Sequence, residues 1–320
     1  MGVFERVARP AILAAGHSER LRRNAERLPV AREVVHRFIA GETVEYALDT
    51  VAHLRNSGRM VSVDYLGEDV TDIDAANQTV DAYLRLLDAL GTRVESADEV
   101  RPLEVSVKLS SLGQALPRDG DKIARDNARV ICARAQQVGV WVTVDAEDHR
   151  TTDSTLSIVR DLRVEFDWLG TALQAYLKRT EEDCRDFVAA GARIRLCKGA
   201  YDEPASVAYR DRDDVTASYL RCLQILMAGD GYPMVATHDP VIVNAVPEVA
   251  AQSGRGTNDF EYQMLYGVRD PEQRRLADDG NRVRIYLPFG TQWYPYFMRR
   301  LAERPANLAF FLRALVERGH

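Results

Sequence analysis

The chain has 320 residues, room for one large domain or two ordinary ones, and its 46% hydrophobic and 28% charged side chains are those of a globular protein. No stretch approaches the roughly 20 uninterrupted apolar residues of a membrane-spanning helix, and a net charge of −6 argues against nucleic acid as the main partner, since phosphate binding needs a basic surface. Cys132, Cys184, Cys197 and Cys222 form no CxxC pair and no zinc-ligand spacing with histidine, so no metal centre or disulfide framework is expected and a reducing cytoplasm fits.

The N-terminal stretch "MGVFERVARPAILAAGHSERLRRN" has one brief apolar patch between charges, which speaks against a secretory signal. Arg6 stands where a myristoylation signal needs Ser or Thr. Residues 1–57 lack strand-like runs, and "AREVVHRFIAGETVEYALDTVAHLRNSG" repeats its apolar residues at helical spacing. A helical arm is therefore expected over 1–57, stopped at Gly58.

From 58 to 320, short β-branched runs alternate with helical patterns. The candidate strands are "MVSVDYL" (60–66), "LEVSVKLS" (103–110), "VWVTVDA" (140–146), "LGTALQAYL" (169–177), "ARIRLCKG" (192–199), "PMVATH" (233–238), "FEYQML" (260–265) and "RVRIYLPF" (282–289). Helices are expected at Ala75 to Leu90, Lys122 to Val138, Ser154 to Leu162, Glu181 to Ala190 and Val215 to Met227. Eight such units match the count and size of a (β/α)₈ barrel. The alternative, a doubly wound open sheet, would carry a GxGxxG loop after its first strand, and none follows "MVSVDYL".

Barrel enzymes work at the C-terminal ends of their strands, and polar residues gather there: Lys108, Asp145, Gln174, Tyr176, Arg195, Lys198, Thr237, His238 and Tyr286. Each has an ordinary structural use, Asp145 as a helix cap or His238 as a turn histidine. Their convergence on one face favours function. With Lys108, Arg195 and Lys198 set against few acids beyond Asp145 and Glu147, the mouth suits an anionic ligand. Gly199 permits close backbone approach by a phosphate-bearing cofactor.

After Gly290 a helix is expected, with Tyr296, Arg299, Arg300 and Glu303 on one face and Trp293, Phe297 and Leu301 on the other. Pattern alone reads the first face as solvated, with an Arg299–Glu303 pair. Laid across a barrel mouth, the same arginines would clamp a carboxylate.

Together "VSVKLSSLG", "VTVDAEDHR", "LQAYLKRT", "RIRLCKGAYDEP", "VATHDP", "EYQMLYG" and "YLPFGTQWYPYFMRRLAERPAN" resemble the proline dehydrogenase family in its short monofunctional bacterial branch, over roughly Val105 to Asn307. The resemblance implies a distorted (β/α)₈ barrel that uses FAD to oxidise L-proline to 1-pyrroline-5-carboxylate, the hydride passing from C5 to flavin N5 and the electrons to a membrane quinone. It implies that Arg299 and Arg300 bind the proline carboxylate, with Lys108, Asp145, Tyr201, Leu265, Tyr286 and Tyr296 completing the pocket. Arg195 would lie near flavin N5 and tune it, while Ala146, Gln174, Cys197, Lys198, Gly199, Ala200, Thr237 and His238 would contact the flavin. Cys197 departs from the aliphatic residue usual in this motif, and Tyr286 favours proline over hydroxyproline by filling the space beside C4.

No aldehyde dehydrogenase pattern follows, so a separate 1-pyrroline-5-carboxylate dehydrogenase is the expected partner. Two rivals come from the residues alone: a barrel lyase or aldolase using Lys108 or Lys198 as a Schiff-base amine of depressed pKa, and a non-catalytic carboxylate-binding barrel. Amphipathic terminal segments, "AFFLRALVERGH" among them, are expected to pack on the barrel, with peripheral contact at the inner face of the cytoplasmic membrane as the alternative use.

Overall fold

The computed structural model describes Ile12, residues 37–94 and residues 100–303, the last three as backbone alone. Eight parallel strands close into a barrel in sequence order. They are β1 (Met60–Tyr65), β2 (Leu103–Val107), β3 (Trp141–Val144), β4 (Gly170–Gln174), β5 (Arg193–Cys197), β6 (Tyr232–Ala236), β7 (Glu261–Leu265) and β8 (Val283–Phe289). Closure is made by β8 against β1, with Met60 opposite Arg284 and Tyr65 opposite Phe289. The open-sheet alternative is thereby excluded. Several strands are shorter than their candidate runs: "LGTALQAYL" pairs only to Gln174, and Tyr176 lies in the turn beyond.

Helix α1 (Val44–Asn56) precedes the barrel, and α2 (Ile73–Gly91), α3 (Gly120–Val138), α4 (Thr152–Arg163), α5 (Thr180–Ala189), α6 (Arg212–Ala228), α7 (Pro240–Gln252), α8 (Asp270–Asp278) and α9 (Trp293–Glu303) follow successive strands. The carboxylates of Asp72, Asp211 and Asp239 cap α2, α6 and α7 by accepting from the amides of Ala75, Asp213 and Val241, which satisfies donors a helix start leaves open. Helices α7 and α8 were not among the periodic segments: the first carries Pro247 in its interior, and the second is a short, mostly polar "DPEQRRLAD". Of the expected arm, α1 adds Ala47, Val51 and Leu54 to the main apolar core. Residues 1–36 other than Ile12, and "AFFLRALVERGH", lie outside the described residues.

The two faces of the barrel wall are chemically opposite. Val61, Val63, Val105, Val107, Val142, Val144, Ile194, Leu196, Ile285 and Leu287 face outward and pack beneath the helices. The alternate residues face inward, where such barrels ordinarily hold branched aliphatics. Here they include Ser62, Asp64, Glu104, Ser106, Thr143, Arg193, Arg195, Glu261, Gln263 and Arg284, all buried, alongside Met60, Trp141, Ala172 and Met234. Glu104 on β2 contacts Arg193 and Arg195 on β5, and because β2 and β5 are not neighbours these contacts cross the interior. Arg284 forks onto Glu261 at 2.6 and 3.0 Å, and the guanidinium of Arg193 lies 3.6 Å from the Trp141 ring centre. A buried charge is tolerated when it is paired, and each ion of this column has an oppositely charged partner.

Candidate active site

Asp145, one residue past β3, is the hub of the mouth. Its Oδ1 accepts from Arg195 Nη1 at 2.5 Å and its Oδ2 from the Tyr286 hydroxyl at 2.7 Å. Lys108 Nζ donates to Asp64 Oδ2 at 2.8 Å and to the Tyr286 oxygen at 3.3 Å, and stands 3.7 Å from Asp145. Burial, with Asp145 and Asp64 adding to it, drives the Tyr286 hydroxyl far above its ordinary pKa, so the group stays protonated and donates.

Burial opposes the charge on Lys108, but Asp64, Asp145 and Glu68 outweigh it and lift its pKa above the ordinary lysine range. The depressed amine that the lyase or aldolase rival requires is not found at Lys108, which is a locked ammonium, unsuited to attack a carbonyl. Lys198 is likewise held, by Asp239 at 2.6 Å and Thr216 at 2.9 Å. Asp64 and Glu68 also correct the expected charge balance, since the mouth holds two acids more than anticipated.

Helix α9 differs from the solvated face its pattern suggested. Trp293, Tyr294, Tyr296 and Phe297 are buried with Phe38, Ile39 and Leu66. Arg300 is buried too, its guanidinium 5.1 Å from the Tyr296 ring centre. Arg299 forks onto Glu68 in the β1–α2 loop at 2.8 and 2.5 Å; the side chain of Glu303, its expected partner, lies outside the described residues. The apolar residues therefore anchor the helix, and Arg299 reaches the mouth, where its charge is felt by Tyr201 and Tyr286.

A second group lines the ends of β4, β5 and β6. Gln174 and Cys197 are register partners. Gln174 donates to the Glu147 carbonyl at 2.8 Å, and the Cys197 thiol points to the Leu173 carbonyl at 3.5 Å. Burial pushes that thiol up to about 11, so it is neutral. Thr237 accepts from the Asp239 amide, and His238 Nε2 accepts from the Leu265 amide at 2.9 Å, which leaves the imidazole proton on Nδ1. Leu265 is in turn the register partner of Tyr286. Ala146 and Ala200 extend the loops just beyond Asp145 and Gly199. Glu147 accepts from the Ser110 amide at 3.0 Å and from its hydroxyl, while Ser110 accepts from the amides of Asp69 and Val70, tying down the loop that carries Glu68.

Asp64, Glu68, Glu104 and Gln263 escaped the sequence reading. A signal for the first was present: "VSVD" at 61–64 and "VSVK" at 105–108 are twin segments. Their serines meet at 2.8 Å and their terminal residues form the Asp64–Lys108 pair.

Comparison with known proteins gives this geometry a family. Residues 47–313 match the sequence model of the family described as proline dehydrogenase. The chain is 39% identical over 282 residues to proline dehydrogenase 1 of Bacillus subtilis (strain 168), covering 88% of this chain and 90% of that protein. It is 40% identical over 287 residues to proline dehydrogenase of Deinococcus radiodurans, covering 89% and 90%. Among solved structures, proline utilization A of Bdellovibrio bacteriovorus, inactivated by N-propargylglycine, superposes with a TM-score of 0.79 at 24% identity, over 92% of this chain and 38% of that one. A Bradyrhizobium japonicum proline utilization A mutant gives 0.73 at 26%, over 89% and 32%; this chain thus spans about a third of those longer proteins. The match along nearly the whole sequence, on a closed barrel with its polar cluster at the strand ends, makes this chain a member of the proline dehydrogenase family.

Proposed function

We propose that this chain oxidises L-proline to 1-pyrroline-5-carboxylate with FAD and hands the electrons to a membrane quinone, within a catalytic barrel of residues 58–320 preceded by a helical arm over 1–57. The observation that carries the reading is the interlocked cluster of Lys108, Asp145, Arg195 and Tyr286 at the strand ends, facing Arg299 of α9, in a chain of this family.

The residues present fit the cofactor. Gly199 has φ +111°, and a Cβ there would stand 2.3 Å from the Tyr176 ring, so bare backbone is required beside Lys198. Amide, ammonium, hydroxyl and imidazole groups from Gln174, Lys198, Thr237 and His238 make a donor-rich set suited to an anionic dinucleotide, with Ala146, Cys197, Gly199 and Ala200 supplying compact surface. Bound FAD would take the hydride from C5 of the ring at N5.

The remaining roles follow from the protein's own groups. The Glu68 carboxylate sits in the fork of Arg299 as a substrate carboxylate would, so Arg299, with Arg300 beside it, fixes the proline carboxylate. Tyr201, Leu265, Tyr286, Tyr296 and Lys108 close around the ring and hold it for reaction. Both oxygens of Asp145 already accept hydrogen bonds, so it orients Tyr286 and Arg195. Arg195 adds fixed positive charge beneath the reacting atoms. The product is the substrate class of a 1-pyrroline-5-carboxylate dehydrogenase, and quinone access would put the protein in the cytoplasm with peripheral contact at the membrane. Among the described residues no helix is long and apolar enough to cross one.

The purified protein should be yellow, and anaerobic proline should bleach its flavin absorbance. Colourless protein that takes up no added FAD would refute the proposal.

A further inference from the structure

Beneath the mouth, Glu104 lies one layer down and meets the strand-end cluster through Arg195. It has no exposed surface. Its Oε1 accepts from Arg195 Nη2 at 2.7 Å and its Oε2 from Arg193 Nη2. A guanidinium has five N–H groups, and Arg195 commits all of them: Nε to Gln263 at 2.5 Å, Nη1 to Asp145 at 2.5 Å and Ser106 at 2.9 Å, Nη2 to Glu104 and to Ser62 at 3.3 Å. Its plane is thus fixed from β1, β2, β7 and the end of β3.

The charges balance as well. Lys108, Arg193, Arg195 and Arg284 face Asp64, Glu104, Asp145 and Glu261 across linked contacts. Burial would raise the Glu104 carboxyl, yet Arg193, Arg284 and Arg195 hold it well below the usual carboxylate range, so it is an anion throughout the working range of pH.

We propose that Glu104 is a positioning residue for the oxidation: it holds the Arg195 guanidinium beneath the reacting centre and sets how much of that positive charge is felt there. The inference rests on the flavin reading above. Replacing Glu104 with glutamine keeps the shape and leaves the column one positive charge in excess, which favours the electron-rich reduced flavin. Replacing Arg193 with methionine leaves one negative charge in excess and acts the opposite way.

The test is dye-equilibrated reduction of the flavin-loaded wild type, Glu104→Gln, Arg193→Met and the double variant. In Glu104→Gln the reduced-to-oxidised ratio at fixed potential should rise at least about tenfold, a shift of about +30 mV for a two-electron couple. Arg193→Met should lower it, and the double variant should return to within about threefold of wild type. A merely structural role would lower thermal stability without moving the two single variants in opposite directions. Single variants within about twofold of wild type, or shifted the same way, overturn the proposal. Should Glu104→Gln fail to fold, Arg193→Met decides alone: a lowered ratio supports the role and an unchanged one overturns it. Wild-type flavin content is measured first. A wild type without flavin overturns the functional reading and this inference with it, whereas a flavin-loaded wild type with unshifted variants overturns only the inference.

Discussion

Replacing Glu147 with glutamine should reverse a pH-dependent loss of stability whose size follows from its burial. The residue is 9% exposed, and burial pushes its carboxyl pKa from 4.5 up to about 7 against the hydrogen bonds from Ser110. In the unfolded chain the group ionises near 4.5. Between that value and 7 the folded state holds a proton that the unfolded state has released, so stability falls as pH rises through this window and the full cost is present above it. At 1.36 kcal/mol per pH unit the cost is about 3 kcal/mol. Glutamine keeps an acceptor for the Ser110 amide and never ionises. Urea unfolding of both proteins from pH 4.5 to 8 should therefore show the variant gaining about 3 kcal/mol on the wild type, with no further gain above pH 8. A difference that is flat across the window, or that grows towards acid, would refute the reasoning.

Arg299→Lys should raise the proline KM about ten- to a hundredfold, because a point charge replaces a two-pronged grip worth about 1.5–3 kcal/mol. KM is read in a proline-dependent dye-reduction assay, and flavin content, read from absorbance, should be unchanged; parallel loss of both would assign Arg299 to anchoring α9. Asp64→Asn should cost about 3–5 kcal/mol by leaving Lys108 buried beside Asp145 alone. Thermal melts should show this loss; one below about 1 kcal/mol would count against the pair. Gly199→Ala should weaken FAD retention about tenfold or more through strain of about 1–3 kcal/mol, read as flavin per chain after dialysis. Full retention would remove the loop from the cofactor site.

Strand positions were legible because each strand alternates so strongly. In "VSVKLS", "RIRLC" and "RVRIYL" every second residue is aliphatic, and those residues form the outer wall of the barrel. The same alternation hid the interior. Glu104, Glu261 and Arg284 occupy the alternate positions, and alternation alone does not say which charged residues there will find partners across a closed barrel. Asp145, Lys108, Arg195 and Tyr286 could be singled out from their strand-end positions, but their hydrogen-bond partners join residues far apart in the chain. Glu68 sits in a loop with no periodicity to mark it. Its link to Arg299 exists because the β1–α2 loop and α9 meet over the mouth, a relation that no local pattern carries.

The inverted polarity of the barrel wall also bears on how the chain folds. Glu104 finds Arg193 and Arg195 at separations of 89 and 91 residues, and Arg195 finds Ser62 at 133. A half-barrel built from β1 to β4 would enclose Glu104 without either arginine, and one built from β5 to β8 would enclose Arg193 and Arg195 without Glu104. Each fragment would carry unpaired ions in its centre, a penalty of several kcal/mol per ion, where an aliphatic interior would have let it persist as a stable part. Partial barrels are thereby selected against, the long loops must close before the reward arrives, and the wall that serves the chemistry also makes assembly slow and all-or-none.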